Sequence, residues 1–261
     1  MQIVIVGSGN VAAVLAEKLS AGNTAAIAQI VSRNPATGKT LAEKVKSRYT
    51  DDYTAIEKEA DVYLVCVQDS FLLEVARQLE KVLPKTALVV HTAGSVSISV
   101  LENVSSRYGV LYPLQSLRKE NSAVQKIPLL LDASTPEAME KIQALASIIS
   151  SNIALADDEQ RIRFHVAAIF VSNFPNYLYT LTASFCKQHE IDFSFLLPLM
   201  EETIQRLHRF SPEEIQTGPA ARGDISTIDK HKALLQKENP ELLSVYAFMT
   251  AQVLEHFAKK N

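Results

Sequence analysis

The stretch that decides the fold is MQIVIVGSGNVA, residues 1–12. Its first part, residues 2–6, is a short apolar run rich in β-branched side chains, which predicts a buried strand. The run passes directly into GSGNVA at residues 7–12, a G-x-G-x-x-A string, and a helical pattern then continues to about Gly22. A strand, a glycine turn and a helix in this order are typical of a dinucleotide-binding unit.

The glycine string has a physical reason at each small position. Gly7 allows the tight turn, Gly9 lets a pyrophosphate approach the backbone, and Ala12 lets the helix lie close to the strand. The helix N-terminus then offers N–H groups and the positive end of its dipole to an anion. We therefore expect the phosphates of a dinucleotide to contact five residues: Gly7, Ser8, Gly9, Asn10 and Val11.

The end of the second predicted strand, residues 25–31, bears on which dinucleotide binds. A cofactor with a free ribose 2′-hydroxyl usually meets Asp or Glu at this point, but this chain has Ser32, Arg33 and Asn34 there. A carboxylate would repel a 2′-phosphate, whereas Arg can pair with it through two hydrogen bonds. We therefore predict NADP(H) rather than NAD(H). The alternative is that Arg33 is a solvated loop residue.

Strands and helices alternate as far as residue 156. The further predicted strands are 48–50, 62–67, 87–90, 110–112, 127–131 and 153–156, and the helices are 37–45, 53–59, 71–83 and 136–149. The run VYLVCV at 62–67 is continuously apolar, as in a parallel strand covered on both faces. The pattern predicts an α/β fold with a doubly wound, mostly parallel Rossmann sheet in residues 1–156.

The carboxyl ends of two central strands should border the cofactor crevice. We expect cofactor contacts from six residues there: Val67, Gln68, Asp69, His91, Thr92 and Ala93. Asp69 is also a good helix cap, and we favour that role, with the backbone contacting the cofactor. For His91 the alternative is a buried, hydrogen-bonded histidine with no contact to ligand.

Beyond residue 156 the strand pattern stops and helices are predicted at 160–188, 193–210, 227–237 and 240–259, which makes residues 157–261 an all-α domain. In the first of these helices His165, Ser172 and Asn176 fall on one line at about 100° per residue, with Asn173 beside them. Such a polar stripe on an apolar helix must face solvent, a partner group or a cleft. Pro175 is expected to kink this helix.

The segment TGPAARGDIST, residues 217–227, contains two glycines and a proline and predicts a defined loop. Thr227 or Asp224 can cap the helix that follows. Arg222 and Asp224 can simply pair at the surface, or they can bind a polar substrate together with Thr227 and His231. Composition alone favours the surface pair.

Composition excludes several classes of function. A net charge of −3 gives no reason to expect a nucleic-acid surface. The two cysteines, Cys66 and Cys186, are interpreted as buried, reduced thiols. No apolar run approaches the ~20 residues of a membrane span and no signal-peptide pattern is evident, so we expect a cytoplasmic protein. The histidines and carboxylates lack metal-ligand spacing, and we expect no metal.

Five strings taken together resemble one protein family: GSGNVA, HTAG at 91–94, YPLQS at 112–116, HVAAIFVSN at 165–173 and the loop 217–231. Its members join an NADP-binding Rossmann domain to a helical C-terminal domain of unknown function. The family is similar to pyrroline-5-carboxylate reductase, ketopantoate reductase and deazaflavin-dependent NADP oxidoreductases. The resemblance spans nearly the whole chain. One departure is Tyr112-Pro113, where the family usually has histidine-proline.

The resemblance implies a C-terminal domain like that of 6-phosphogluconate dehydrogenase, a homodimer built on that domain, and an active site in the cleft between domains. It implies hydride transfer between a nicotinamide and a C=O or C=N carbon. We assign His165 as proton donor or orienting group, with Ser172 and Asn173 hydrogen-bonded to the substrate. The residues expected to bind the rest of the substrate are Tyr112, Arg222, Asp224, Thr227 and His231.

Two other functions compete with a reductase. A chain with this fold can bind NADP(H) without turnover, as a redox sensor or as a partner subunit, because the scaffold does not fix the chemistry. A methyltransferase with a similar glycine turn fits Arg33 less well, since its cofactor has no 2′-phosphate. The substrate and the direction of the reaction do not follow from the sequence.

Overall fold

The structure is a computed structural model that describes residues 1–22, 24–121 and 126–258. The chain forms two compact units, Met1–Ser172 and Asn173–Asn261. The predicted division at residue 156 coincides with the end of the last strand, but the first unit extends sixteen residues further because the next helix belongs to it.

The first unit contains one eight-stranded sheet. Its strands are β1 (Gln2–Val6), β2 (Ala26–Val31), β3 (Arg48–Thr50), β4 (Val62–Val65), β5 (Leu88–His91), β6 (Arg107–Pro113), β7 (Leu129–Ala133) and β8 (Ile153–Leu155). Their order is β3-β2-β1-β4-β5-β6-β7-β8. Neighbouring strands are parallel except for the antiparallel pair β6 and β7. The predicted doubly wound, mostly parallel sheet is confirmed.

Helices cover both faces of this sheet. They are α1 (Asn10–Ser20), α2 (Pro35–Lys44), α3 (Leu72–Val82) and α4 (Pro136–Ile149), and a further helix, α5 (Asp158–Ala168), follows β8. Side chains of α1, α2 and α4 join the core on one face, and those of α3 join the core on the other. Burial on both sides explains why β4 is apolar at every position.

The strand order creates the crevice that a ligand would occupy. The chain leaves β1 toward β2 and β3 on one side, and later returns to place β4 on the other side of β1. At such a reversal the helices that follow the two central strands lie on opposite faces, so a gap remains at the carboxyl ends of the strands. The glycine turn after β1 lies at this edge.

Two predicted helices differ from the structure. The helix expected at 53–59 is only a short 3₁₀ turn, Tyr53–Ala55. The prediction of a single helix over 160–188 is wrong, because a π-helical turn, Ile169–Asn173, separates α5 from the next helix. Pro175 lies just beyond this turn and has no N–H to donate to it, which favours an irregular backbone there.

The second unit is helical, as predicted. Its helices are α6 (Phe174–Gln188), α7 (Leu197–Leu207), α8 (Pro212–Ile215), α9 (Pro219–Arg222), α10 (Ile225–Glu238) and α11 (Pro240–Ala258). The predicted end of the last helix, residue 259, lies outside the described residues. Among the described helices, none has the length and apolar character needed to cross a membrane.

Candidate cofactor and active site

A cavity of about 940 Å³ opens at the carboxyl ends of the central strands. Most of the predicted cofactor-binding residues line it: Gly7, Ser8, Gly9, Asn10, Val11, Ser32, Arg33, Asn34, Val67, Gln68, Asp69 and Thr92. Tyr112 also lines it. Two predicted residues, His91 and Ala93, are buried and are not part of the lining. The cavity is of the size that small-molecule and cofactor sites have.

The glycine turn is shaped for an anion. Gly7 has a φ of +121°, and a Cβ there would lie 2.3 Å from the carbonyl oxygen of Cys66, so only glycine fits. At Gly9 a Cβ would meet nothing within 4 Å, because the space above it belongs to the cavity. In the described structure no side chain caps α1 at Gly9. The first N–H groups of α1 are therefore available to a pyrophosphate.

Three hydroxyl groups meet where the glycine turn approaches the end of β2. The Ser8 Oγ lies 2.7 Å from the Ser32 Oγ and 2.6 Å from the Thr37 Oγ1. Asn34 caps α2 by accepting hydrogen bonds from the backbone N–H groups of Ala36 and Thr37. Thr37 was not among the predicted site residues, although its place in the first turn of a helix beginning at Pro35 was a usable signal. The cluster offers hydroxyl donors to an anion.

Arg33 lies at the same end of the cavity. Its guanidinium carbon is 3.9 Å from the centre of the Phe71 ring, a cation–π contact that orients the side chain. Tyr53 and Glu74 line the cavity as well. Burial and the charge of Glu74 raise the pKa of Tyr53, while Arg33 opposes them. The cation is therefore held at the rim of the cavity, and no ion pair joins it to a carboxylate among the residues that the structure describes.

Asp69 does not have the role we favoured for it. It begins a short 3₁₀ turn, and no side chain caps that turn in the described structure. Its carboxylate instead accepts a hydrogen bond from the Ser95 Oγ. The cap prediction is therefore wrong. The contact ties the segment after β4 to the segment after β5.

Tyr112 and His165 form a hydrogen-bonded pair. The Tyr112 Oη on β6 lies 2.9 Å from the His165 Nδ1 on α5, and the rings meet edge to face. A Cβ on Gly94 would lie 2.8 Å from Tyr112 Cζ and 3.0 Å from His165 Nδ1, so this glycine makes room for both. Burial, followed by the charge of Asp69, raises the pKa of Tyr112, while Arg161 lowers it. At neutral pH the phenol is protonated and can donate.

The other two predicted catalytic residues follow α5 in the π-helical turn. Ser172 lies in the π-helical turn and is exposed, and Asn173 begins the second unit and is also exposed. The predicted line through His165 and Ser172 assumed an unbroken α-helix. The π turn changes the hydrogen-bond register, so that spacing no longer places Ser172 directly above His165.

The loop of the second unit is organised by Asp224. Its carboxylate caps α10 by accepting from the Thr227 N–H at 3.1 Å and from the Thr227 hydroxyl at 2.7 Å. The His231 Nδ1 lies 2.9 Å from the Tyr246 Oη. Arg222 is exposed. Within the described chain, Asp224 is thus the cap and is bonded to Thr227 rather than to Arg222. The substrate roles of these residues stay predictions.

His91 is a buried residue behind the cavity. Its Nδ1 accepts a hydrogen bond from the Ala93 N–H at 3.1 Å. Burial, followed by the charge of Arg161, lowers its pKa to about 4. The imidazole is therefore neutral at physiological pH. Arg161, a fully buried cation on α5, was missed by sequence reasoning because its helix position alone gives no sign of burial.

Two family models match the chain. The model described as NADP oxidoreductase, coenzyme F420-dependent, matches residues 2–94. The model described as a domain of unknown function, DUF2520, matches residues 127–253. No curated protein matches the sequence.

Solved structures extend the likeness to the full length. A candidate NADP oxidoreductase from Bacteroides fragilis is 35% identical, with a TM-score of 0.90 and coverage of 97% of this chain and 98% of the other. A protein from Thermotoga maritima is 22% identical, with a TM-score of 0.80 and coverage of 98% and 99%. A pyrroline-5-carboxylate reductase from Coxiella burnetii is 18% identical, with a TM-score of 0.58 and coverage of 98% and 97%. The last two likenesses concern the fold alone.

Proposed function

We propose a hydride-transfer function for this chain. The chain belongs to a family of candidate NADP-dependent oxidoreductases, in which an N-terminal NADP oxidoreductase domain is followed by DUF2520. The reaction proposed is transfer of a hydride between NADP(H) and the carbon of a C=O or C=N group in a small substrate. The observation that carries it is the Tyr112–His165 pair, of which Tyr112 lines the cavity that contains the phosphate-binding turn.

The preference for NADP(H) rests on the end of β2. Arg33, Ser32 and the hydroxyls of Ser8 and Thr37 supply a cation and several donors where a 2′-phosphate would lie. The α1 N-terminus supplies N–H groups for the pyrophosphate. The bound nicotinamide would supply the hydride, and the protein would supply orientation and protons.

The proton is assigned to Tyr112. A carbon that gains a hydride leaves its oxygen or nitrogen in need of a proton. Tyr112 lines the cavity, and its hydroxyl is protonated at neutral pH. When Tyr112 gives its proton to the heteroatom, His165 would return one from Nδ1 to the phenol oxygen as its other ring nitrogen takes up a proton from solvent. In the oxidation direction the same groups accept the proton. This is general acid–base catalysis by a positioned pair.

Substrate contacts beyond the reacting atom are proposed for residues that carry hydrogen-bonding groups or charge. Ser172, Asn173 and His231 would hydrogen-bond to it, and Arg222 would bind an anionic end. Asp224 and Thr227 would shape the loop that presents Arg222, because they form the α10 cap next to it. The fold shared with a pyrroline-5-carboxylate reductase makes cyclic imines with a carboxylate suitable first compounds.

We also propose that the protein is a homodimer through the second unit. Several large apolar side chains there are open to solvent, with exposed fractions of 81% for Phe195, 67% for Leu199 and 65% for Phe248. Apolar exposure on this scale usually marks an interaction surface. A second copy of the chain is the partner that closed, symmetric assemblies favour.

The test is consumption of NADPH in the presence of a panel of small carbonyl compounds and imines. The variants are Tyr112→Phe and His165→Ala, with Tyr108→Phe on the same strand as the control. We expect Tyr112→Phe to lower kcat by about 100-fold or more, the scale of a general acid, with little change in the Kd for NADPH. Full activity of both variants would overturn the proton assignment. Tight NADPH binding without turnover of any compound would favour the non-catalytic sensor instead.

A further inference from the structure

Arg161 is a buried cation that stability alone explains poorly. Its side chain is 1% exposed, and it donates to the Val96 carbonyl oxygen at 2.7 Å and to the Asp158 carboxylate. Its Nε and Nη1 have no hydrogen-bond partner among the described residues, although Nη1 lies 3.9 Å from the Asp132 carboxylate on β7. Burying a partly satisfied charge is costly, and a buried ion pair is a weak source of net stability. This cost indicates that Arg161 has a role other than stability, namely to position the residues around it.

The contacts of Arg161 join α5 to the segment that follows β5. Asp158, the second partner, also accepts from the backbone N–H of Ile98 at 3.0 Å. Burial opposes ionisation of this carboxyl, but hydrogen bonds from Ser97, Ile98 and Arg161 outweigh it and lower its pKa. Arg161 and Asp158, which pair with each other within α5, are thus hydrogen-bonded to the Val96 carbonyl oxygen and the Ile98 N–H and so hold the start of α5 to residues 96–98.

His165 lies one helical turn beyond Arg161, on the same face of α5. There it meets the same loop again, because Gly94 leaves the space in which His165 Nδ1 approaches Tyr112. The loop after β5 therefore contacts α5 at two positions: Val96 contacts Arg161, and Gly94 lies beside His165. If α5 shifts along the loop at Arg161, the His165 imidazole moves with it.

Support for this placement comes from the N-terminal side of the helix. A capping box between Asp157 and Gln160 fixes the first turn of α5. On the other side the α-helical hydrogen-bond pattern gives way at Ile169 to the π turn. The register of His165 is consequently set by the start of α5, where Arg161 is the buried anchor.

We propose that Arg161 is a positioning residue, whose buried guanidinium holds α5 against the loop after β5 and thereby keeps His165 Nδ1 at hydrogen-bond distance from Tyr112 Oη. The proposal rests on the proposed function, since it gives the Tyr112–His165 pair its geometry. A displacement of about 1 Å in a reacting pair can cost on the order of 100-fold in rate.

The experiment reads the pair directly, by ¹⁵N NMR of the histidine rings, with the His165 signal identified by its loss in His165→Gln. The variant is Arg161→Lys, and the matched control is Arg163→Lys, since Arg163 is 70% exposed on the same helix and pairs with Glu159. We expect Arg161→Lys to move the His165 Nδ1 signal in the same direction as Tyr112→Phe does. We expect Arg163→Lys to leave it in place.

Kinetics supply the second readout. With a substrate from the panel, Arg161→Lys should lower kcat by about 10- to 100-fold while the Kd for NADPH stays within about twofold, because Arg161 does not line the cavity. If Arg161→Lys does not fold, Asp158→Asn makes the same test through the partner carboxylate. Here too the His165 signal should shift toward that of Tyr112→Phe.

Each result decides between the two proposals. If the His165 signal is unchanged in Arg161→Lys, the positioning role is overturned and the Tyr112–His165 pair still stands. Where Arg161→Lys does not fold, an unchanged signal in Asp158→Asn has the same meaning. An unchanged His165 signal in Tyr112→Phe overturns the pair and the positioning role together. If no compound is turned over, the proposed function fails, but the NMR comparison still decides whether Arg161 sets the position of His165.

Discussion

The Tyr112 Oη and the His165 Nδ1 lie 2.9 Å apart, although 53 residues separate them in the chain. One is on β6 and the other on α5, and the loop after β5 passes beside both. Neither residue could be paired with the other from local sequence. The contact exists because Gly94 has no side chain at the point where the two rings meet.

Replacement of Gly94 by alanine tests this dependence. The new Cβ would lie 2.8 Å from Tyr112 Cζ, closer than carbon atoms normally approach, so the ring must move. We expect Gly94→Ala to lower the free energy of unfolding by about 1–3 kcal/mol, as overpacking does, and to lower kcat by at least about tenfold. Urea unfolding and steady-state kinetics measure the two effects.

Gly22→Ala is the control for Gly94→Ala. A Cβ on Gly22 would lie 3.8 Å from the Thr24 Oγ1, which is ordinary contact. This variant should retain wild-type kcat. If Gly94→Ala were as active as Gly22→Ala, the Tyr112–His165 geometry would have no bearing on turnover.

Arg33→Ala tests the assignment of NADP(H). Loss of the guanidinium removes the cation at the β2 end, where a 2′-phosphate would lie. We expect the Kd for NADPH to rise by about 10- to 100-fold, the value of one or two charge-assisted hydrogen bonds, and the Kd for NADH to change little. Titration followed by tyrosine fluorescence measures both constants, since the chain has eight tyrosines and no tryptophan.

Arg48→Ala is the matched control for Arg33. Arg48 pairs with Glu57 and does not line the cavity. It should leave both dissociation constants unchanged. Equal binding of NADPH and NADH by the wild type, or an unchanged preference in Arg33→Ala, would contradict the assignment.

Sequence reasoning succeeded where the physical cause is local. Gly7 needs a positive φ, and an apolar strand followed by a glycine turn is recognisable within twelve residues. The doubly wound, mostly parallel sheet follows from the alternation of strands and helices. The N-terminal part of the candidate site was predictable for this reason, since the glycine turn and the residues after β2 are continuous in the chain.

The remainder of the site depends on contacts between distant segments. The Asp69 carboxylate accepts a hydrogen bond from Ser95 instead of capping a helix. Arg161 is buried and donates to Val96 in the loop after β5. Helical periodicity alone predicts that His165 and Ser172 lie on one line, but the π turn before Phe174 interrupts the α-helix between them. Helical spacing gives the face of a residue only while the hydrogen-bond pattern stays the same.

Dimerisation can be tested at the exposed apolar surface of the second unit. Phe195 and Leu199 are among its most exposed large side chains. We expect Phe195→Asp combined with Leu199→Asp to weaken self-association by at least about 100-fold, since charges would be buried at the interface. Sedimentation equilibrium over a range of protein concentrations measures the association constant.

Leu73→Asp is the comparison for this pair, because Leu73 is an exposed leucine on α3 of the first unit. It should associate like the wild type. A wild-type chain that sediments as a monomer at all concentrations would contradict the homodimer. A dimer unaffected by the double substitution would place the interface elsewhere.

The buried imidazole of His91 should make stability depend on pH. Its folded pKa of about 4 lies below the ordinary value of about 6.5. Between these values the unfolded chain binds more protons than the folded chain, so the free energy of unfolding falls as the pH drops through this window. From His91 alone we expect a loss of about 2 kcal/mol between about pH 7.5 and about pH 5.

His91→Gln isolates that contribution, because a glutamine oxygen can still accept from the Ala93 N–H while no group titrates. The variant should be less stable than the wild type near pH 7.5, and the difference should shrink toward about pH 5 as the wild type loses its advantage. Urea unfolding at several pH values measures this slope. If His91→Gln kept the wild-type slope, the imidazole would titrate alike in the folded and unfolded chain, and its burial would not control stability.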